Sequence, residues 1–420
     1  MTAAMKDFLQ VLKYAVQKKE VIQDLESDLG SLLQMAQKQQ MALVIFPALV
    51  ELYNAGRLAV SPEEFAMLEQ EYMVMLSKEL RRRYAIHATV SELEENGFAC
   101  CMLKGIVLAE LYPVPEARIS GDADFYIDPT KEKAICDFLK GRGFAVKERP
   151  KTSHHAMCKS EATGMIEFHL SLYDALFEDV WFNHPKLAEP YREYITAEGH
   201  TYTTLGTTDH AVFITLHLIK HFLSMGVGVR QLMDVLLYLR RYEKEMDVKH
   251  YASIFVKLGY DKFLQTCFYI GEKYLGFLPE EFSLILKELP SYEANDKIAD
   301  VLLQDMEQGG VFGHDDASRQ AFFLQYTKAR FERFKHESYD VYINAWAHVS
   351  LWKRMFPSYQ VMARDYPILK KKKILLPLYY AIRLVKKVFM RSIGKEKDYD
   401  YAQTGIPHER MELIKELDMV

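Results

Sequence analysis

Two aspartates separated by one residue form the part of the sequence best suited to chemistry. Asp122 and Asp124 begin an apolar segment, residues 122–127, whose composition predicts a β-strand. Because side chains at positions i and i+2 of a strand point to the same face, the two carboxylates lie side by side. Carboxylates at this range repel each other unless a cation lies between them. Mg²⁺ suits the arrangement because it takes one or two protein carboxylates and completes its shell with water and phosphate oxygens.

A third carboxylate, Glu167, stands in a later predicted strand. Residues 165–172 alternate between apolar and polar side chains, which puts Glu167 and His169 on one face. A charged side chain within a strongly apolar strand needs a partner, and a strand whose polar face meets solvent is the simpler explanation. His169 either tunes Glu167, contacts an acceptor molecule or serves as a structural histidine.

A turn before the two aspartates has the residues of an anion site. Lys104 and Gly105 follow a predicted strand at 98–103 and precede a short helical pattern that starts with Ile106. Backbone N–H groups at a helix N-terminus accept phosphate, and glycine lets the backbone approach a ligand closely. A plain strand-to-helix turn would have the same residues.

The helical patterns after position 205 carry further polar candidates. His217 and His221 share one helix face at spacing i, i+4, but the residue after His217 is not the Glu that a zinc-protease motif requires. Lys220, Arg230 and Asp234 are polar residues of the same region. A surface Lys220 and a structural Arg230–Asp234 ion pair at i, i+4 are as consistent with the sequence as a binding role.

The order of these motifs resembles the nucleotidyltransferase-fold superfamily. The resemblance is carried by K-G-I at 104–106, L-Y-P at 111–113, Arg118 and G-D-A-D-F-Y-I at 121–127. The sequence is similar to a bacterial group of uncharacterised nucleotidyltransferases that are relatives of the aminoglycoside and minimal nucleotidyltransferases. The similarity covers residues 98–235 and extends more loosely into the helices that follow.

This resemblance implies a metal-dependent enzyme that transfers NMP from an NTP to a hydroxyl group of an acceptor and releases pyrophosphate. The catalytic residues and metal ligands would be Asp122, Asp124 and Glu167, which would hold two Mg²⁺ ions. The nucleotide-binding residues would be Lys104, Gly105, Ile106, Arg118, Lys220 and Arg230. The remaining site candidates are His169, His217 and Asp234.

The repulsion between the two aspartates also predicts how the site affects stability. A site built for a cation is unfavourable without it, so removing one carboxylate relieves electrostatic strain. Alanine at position 122 or 124 is therefore expected to abolish transfer and to leave the metal-free protein folded and no less stable.

A second hypothesis belongs to another functional class: a non-catalytic nucleotide-binding or scaffold protein on a retained nucleotidyltransferase fold. Ile106 favours it, because the superfamily usually has Ser or Gly at this position. The three carboxylates favour the enzyme, because a protein without turnover has no need of a metal triad. The acceptor stays open among a sugar, an antibiotic, a protein side chain and an RNA end.

The order of predicted elements indicates an α+β fold. Strand-like patterns are confined to residues 98–205, which we predict to form a small mixed sheet and the nucleotidyltransferase core. A helical region at 1–97 precedes this core, and a large helical region at 206–420 follows it. In the first region, Ser61-Pro62-Glu63-Glu64 predicts a helix start, with Ser61 as N-cap.

Composition restricts the class of protein further. The net charge of −5 argues against nucleic-acid binding over the whole surface. Five cysteines without a C-x-x-C motif predict reduced thiols. We find neither a signal-peptide pattern nor a transmembrane segment, so we expect a cytoplasmic protein.

The basic stretch at 370–391 has two interpretations: contact with RNA or an anionic membrane, or a packed helix with solvated lysines.

Overall fold

The computed structural model describes most of the chain up to residue 311 and a short segment near its end. The described residues are 1–18, 22–147, 155–172, 191–196, 199–311, 313, 319, 322–323, 376–377, 379–380 and 408–419. The predicted basic stretch at 370–391 therefore lies almost entirely outside the described residues.

Four helices precede the sheet: α1 (Ala3–Gln17), α2 (Leu29–Lys38), α3 (Ala42–Asn54) and α4 (Pro62–Glu95). The helix start predicted at Ser61 is confirmed. The Ser61 hydroxyl accepts a hydrogen bond from the backbone N–H of Glu64, and the Glu64 carboxylate accepts one from the backbone N–H of Ser61. This reciprocal cap satisfies two N–H groups that the first turn of a helix otherwise leaves without partners.

The seven described strands form one mixed sheet, which confirms the predicted α+β fold. They are β1 (Cys101–Met102), β2 (Asp122–Tyr126), β3 (Ala145–Lys147), β4 (His155–Ser160), β5 (Gly164–His169), β6 (Arg192–Ile195) and β7 (Thr201–Thr204). Their order across the sheet is β3-β4-β5-β2-β1-β7-β6. Strand β2 runs parallel to β5 and antiparallel to β1, while β1 runs parallel to β7.

The two faces of the sheet differ in chemistry. Alternate residues of β2 and β5, Phe125 and Phe168 among them, belong to a hydrophobic cluster together with side chains of α4 and of α6 (Glu132–Gly141). Because side chains alternate along a strand, Asp122, Asp124 and Glu167 point to the opposite face. One face is therefore covered by apolar packing, and the other is left for polar side chains.

Two predicted strands are shorter in the structure than in the sequence pattern. The segment expected at 98–103 pairs with its neighbours only at Cys101 and Met102, although the backbone N–H of Leu103 still donates to the carbonyl of Asp124. The strand expected at 165–172 begins at Gly164 and ends at His169. Apolar residues continue beyond these strand ends because they are buried in the core, so burial rather than strand pairing explains the longer pattern.

The described part of the region after the sheet is helical, as predicted. Its described helices are α7 (Thr207–Ser224), α8 (Val229–Tyr242), α9 (Val248–Leu258), α10 (Asp261–Leu275), α11 (Ser283–Glu288), α12 (Asp296–Gly309) and the helix His408–Glu416. None of the described helices combines the length and the apolar character needed to cross a membrane.

The helices on both sides of the sheet share one hydrophobic core. Helix α1 packs against α10, and Phe8 and Leu264 belong to the same buried cluster. The division of the chain at residues 97 and 205 stays a prediction. For the site, the important consequence is that α7 is held firmly, because its side chains also belong to this core.

Candidate functional site

The polar face of the sheet carries the candidate residues on two adjacent strands. Asp124 on β2 lies opposite Glu167 on β5 in the parallel register, and Tyr126 lies opposite His169. Lys104 lies two residues after the end of β1, on the other side of β2 from β5, and its ammonium contacts Asp124. All four side chains, Asp122, Asp124, Glu167 and His169, line the same cavity, as their predicted positions on one face of each strand require.

A cavity of about 290 Å³ lies over this face, between the sheet and α7. The three predicted carboxylates, Asp122, Asp124 and Glu167, all line it. On the opposite side the wall is formed by α7, which contributes His217 and Lys220. The structure thus brings together residues that are up to about a hundred positions apart in the sequence.

Asp124 is the most deeply buried of the three carboxylates, with 1% of its side chain exposed. Its Oδ1 atom lies 3.0 Å from Lys104 Nζ and 2.9 Å from His169 Nε2, whereas its Oδ2 atom is buried without a hydrogen-bond partner. Burial by itself raises the pKa of Asp124, but the Lys104 ammonium and the His169 hydrogen bond outweigh it. The net pKa of Asp124 lies well below its ordinary value, so the group is an anion at neutral pH.

Glu167 faces the cavity more openly than Asp124, with 19% of its side chain exposed. Burial raises the pKa of Glu167 to about 7, and the nearby negative charges of Asp124 and Asp122 act in the same direction. The ammonium groups of Lys104 and Lys220 oppose this shift. Like charges held together in this way are the expected property of a cation site without its cation.

The donor atoms at this place fit a divalent cation. One oxygen each of Asp124 and Glu167 and one ring nitrogen of His169 lie within 4.8 Å of one another. The partnerless Asp124 Oδ2 atom is a further donor, since an oxygen left buried without a partner is costly. Asp124, Glu167 and His169 would hold the ion, with Asp122 beside them on the same strand face.

Helix α7 places two imidazoles against the lysine of the turn. The ring centroids of His217 and His221 are 4.4 Å apart, and His217 Nε2 lies 3.2 Å from Lys104 Nζ. Burial lowers the pKa of His217 well below its ordinary value, and the Lys104 ammonium lowers it further. His217 is therefore neutral, and its Nε2 lone pair accepts a hydrogen bond from Lys104.

A second cavity, of about 190 Å³, adjoins the first and shares Lys104, Asp122 and Asp124 with it. Its far wall carries two guanidinium groups, those of Arg118 and Arg230. The nucleotide-binding residues predicted together are thus divided, because Lys220 lines the first cavity and the two arginines line the second. Lys104 lies where the two cavities meet.

Asp234 pairs with Arg118, and the Arg230–Asp234 pair considered from the helix spacing is wrong. Arg118 Nε donates to Asp234 Oδ1 over 3.1 Å, Arg118 Nη2 contacts Oδ2, and Tyr112 donates its hydroxyl to Oδ1 over 2.8 Å. Arg230 Nη1 instead donates to the Ile119 carbonyl over 2.6 Å and to the Gln40 side chain. Asp234 therefore fixes an arginine of the loop before β2.

These contacts leave guanidinium donors for a ligand. Arg118 Nη1 and Arg230 Nε are buried and have no hydrogen-bond partner within the protein. Burial and the neighbouring Arg118 lower the pKa of Arg230 to about 10, so Arg230 keeps its charge at neutral pH. Arg118 and Arg230 thus bring two positive charges to the second cavity, and each keeps one buried N–H without a partner.

The turn at Gly105 joins β1 to a short helix, as the sequence predicted. Gly105 has φ of +69°, a conformation that favours glycine, and it caps α5 (Ile106–Ala109), a single helical turn. The side chain of Ile106 is buried in the hydrophobic cluster behind the sheet, with 5% exposed. Neither Gly105 nor Ile106 lines the two cavities, so of the K-G-I turn only Lys104 reaches them. The nucleotide-binding role of Gly105 and Ile106 stays a prediction.

Two cavity histidines were not among the predicted site residues: His155, and His221, for which only the shared helix face with His217 was noted. His155 on β4 lies directly opposite His169 on β5, and His221 lies one turn after His217. The i, i+4 spacing was a usable signal for His221. No signal in the sequence indicated His155, because its position depends on the register of two strands.

Comparison with protein families identifies the class to which this fold and site belong. A family model described as "Uncharacterised nucleotidyltransferase" matches residues 26–276. The chain belongs to this family, as the K-G-I and G-D-A-D motifs had indicated. The match extends from the helices before the sheet to α10, further than the resemblance at 98–235. No curated protein and no solved structure gives a significant match.

Proposed function

We propose that the protein is a metal-dependent nucleotidyltransferase that transfers NMP from an NTP to an acceptor hydroxyl group and releases pyrophosphate. The observation that carries the proposal is the convergence of Asp122, Asp124 and Glu167 on one cavity, next to Lys104. Membership of the nucleotidyltransferase family supports the reaction class. Mg²⁺ is the first ion to test, because carboxylates and phosphate oxygens are its preferred ligands.

The second cavity suits the triphosphate. Arg118 and Arg230 have free donors there, and phosphate oxygens accept such hydrogen bonds strongly. Lys104 lines both this cavity and the first one. Its ammonium can therefore stabilise the negative charge that develops on the phosphate oxygens during transfer. The nucleotide then lies with its α-phosphorus near the aspartates.

The first cavity suits the acceptor. Its hydroxyl oxygen forms a new bond to the α-phosphorus, and the bond from that phosphorus to the bridging oxygen of pyrophosphate breaks. The hydroxyl proton passes to Glu167, which faces the cavity openly, whereas the Asp124 carboxylate is already bonded to Lys104 and His169. A bound divalent cation would supply charge neutralisation and lower the pKa of the acceptor hydroxyl.

The decisive experiment measures pyrophosphate release and label transfer from each of the four α-³²P-labelled NTPs. The purified protein is incubated with Mg²⁺ alone, to detect labelling of the protein itself, and with extract fractions as sources of acceptor. We expect labelled product and pyrophosphate with the native protein and with Asp137→Asn, a control on the exposed surface of α6. Glu167→Gln should abolish both signals.

The non-catalytic alternative is favoured by one observation. Lys104 already supplies a positive charge to Asp124, so the fold does not need a metal to neutralise that carboxylate. The experiment can also establish this alternative. The protein would then bind Mg-NTP, but no extract fraction would give label transfer or pyrophosphate release, and the enzyme would be rejected.

A further inference from the structure

The candidate cation site contains an imidazole, that of His169, beside its carboxylates. His169 Nε2 lies 2.9 Å from Asp124 Oδ1 and 3.9 Å from Glu167 Oε2, so it occupies the corner between the two carboxylates. Only 7% of the His169 side chain is exposed. The imidazole is thus placed within the donor set, and an ion bound by both carboxylates would meet it.

The two distances from His169 Nε2 to the carboxylates agree with a single ion. Ligand atoms about 2.1 Å from one ion lie about 3.0 Å apart when adjacent and about 4.2 Å apart when opposite. The observed 2.9 and 3.9 Å fall at or between these values. An ion at this place would replace the hydrogen bond from His169 Nε2 to Asp124 Oδ1. With the ring proton moved to Nδ1, Nε2 carries the lone pair that a metal requires.

A second imidazole lies within reach of the same carboxylate. His155 is the cross-strand neighbour of His169, and its Nε2 atom is 3.9 Å from Glu167 Oε2. The partnerless Asp124 Oδ2 atom, which is nine-tenths buried or more, is an independent sign that a ligand is missing from this corner. Asp124, Glu167 and His169 therefore surround one place, and His155 adjoins it on the side of Glu167.

Mixed nitrogen and oxygen donors discriminate between metals. Mg²⁺ takes oxygen ligands and keeps much of its water, whereas imidazole is a common ligand of first-row transition metals. We propose that His169 is a metal ligand together with Asp124 and Glu167, and that the site takes a first-row transition-metal ion, such as Mn²⁺ or Zn²⁺, in preference to Mg²⁺. This inference rests on the proposed function, because it concerns the ion of the same reaction.

The test uses Mn²⁺ as the probe and does not depend on activity. The full-length protein is stripped with EDTA and loaded with Mn²⁺, and pulsed electron paramagnetic resonance records the modulation that a directly bound imidazole ¹⁴N produces. We expect this modulation in the native protein, and we expect labelling with ¹⁵N-histidine to replace it with the ¹⁵N pattern. This pair of measurements needs no variant, so a folding defect cannot obscure it.

Two variants assign the nitrogen to a residue. His169→Gln should lose the ¹⁴N modulation and bind Mn²⁺ at least tenfold more weakly. His250→Gln, which changes an exposed histidine at the start of α9, should behave as the native protein does. When Mn²⁺ and Mg²⁺ compete for the site, the native protein should bind Mn²⁺ at least tenfold more tightly than Mg²⁺. In His169→Gln this ratio of affinities should be smaller.

The outcomes separate this inference from the proposed function. Mn²⁺ binding without nitrogen modulation, or equal affinity for Mn²⁺ and Mg²⁺, would overturn the role of His169 and leave transfer with Mg²⁺ intact. Absence of Mn²⁺ binding would overturn the inference as well, and the label-transfer experiment would still decide the reaction. If Mn²⁺ is bound by the histidine but no NMP transfer is detected, only the proposed reaction is rejected, and the metal site stands.

Discussion

The ammonium group of Lys104 lies 3.0 Å from Asp124 Oδ1, at the place where the two cavities meet. The protein therefore neutralises its most buried site carboxylate with its own cation. A metal ion that binds Asp124 must share this carboxylate with Lys104 or displace it. Lys104 is then available to the phosphates in the adjoining cavity, which links metal binding to nucleotide binding.

Replacing Lys104 should reveal this competition. Lys104→Met removes the positive charge and keeps the length of the side chain, so the affinity for Mn²⁺ without nucleotide should rise about three- to tenfold, because charge repulsion is lost. Affinity for the NTP should fall. Isothermal titration calorimetry measures both. Lys133→Met, an exposed lysine on α6, should change neither value, and weaker metal binding by Lys104→Met would contradict the competition.

The Asp122→Ala and Asp124→Ala variants should differ in stability, in contrast to the expectation drawn from charge repulsion alone. Asp124→Ala leaves the partly buried Lys104 ammonium without its counter-ion and should lower the free energy of unfolding by about 3 kcal/mol. Asp122→Ala removes no such pair and should stay within about 0.5 kcal/mol of the native value. Urea unfolding in EDTA measures both.

Loss of transfer in both aspartate variants would support their proposed role at the cation site. Equal stability of Asp122→Ala and Asp124→Ala would show that the Lys104–Asp124 pair contributes little to folding.

The buried Arg118–Asp234 pair should be strongly coupled. Asp234→Leu alone leaves the guanidinium of Arg118 and the hydroxyl of Tyr112 without this partner, and it should cost about 3–5 kcal/mol. Adding Arg118→Met should recover part of this loss, because the isolated buried charge is removed. A double-mutant cycle from urea unfolding gives the coupling energy. A double variant whose loss equals the sum of the two single losses would contradict the pairing.

The free energy of unfolding should decrease at acidic pH because of the buried side chain of His210. This residue is fully buried, its Nε2 atom donates to the Leu103 carbonyl over 2.6 Å, and burial lowers its pKa from 6.5 to about 4. Because the unfolded chain binds the proton first, the stabilising contribution is complete above pH 6.5. It is lost progressively as the pH falls to about 4, by on the order of 3 kcal/mol.

His210→Gln keeps a donor for the Leu103 carbonyl and removes the titrating group. Its unfolding free energy should therefore depend less steeply on pH between 6.5 and 4 than that of the native protein. His250→Gln is the matched control for loss of a histidine, and its pH dependence should follow the native curve. The same slope in all three proteins would show that His210 does not titrate as its burial implies.

The sequence by itself determined which residues share a face and where many helices begin. Alternation along a strand depends only on backbone geometry, so Asp122 with Asp124 and Glu167 with His169 could be paired locally. The cap at Ser61 was equally readable, because its hydrogen bonds join residues three positions apart. The family motifs added the expectation of a third carboxylate at Glu167.

Only the tertiary structure decided which of these faces meet. The strand order places β5 next to β2, and the register sets Glu167 opposite Asp124 and His155 opposite His169. Asp234 binds Arg118, 116 positions away, instead of Arg230 one helical turn away, because packing of α8 against the loop before β2 outweighs the local spacing. Strand order and packing arise from contacts between distant residues, which local periodicity does not encode.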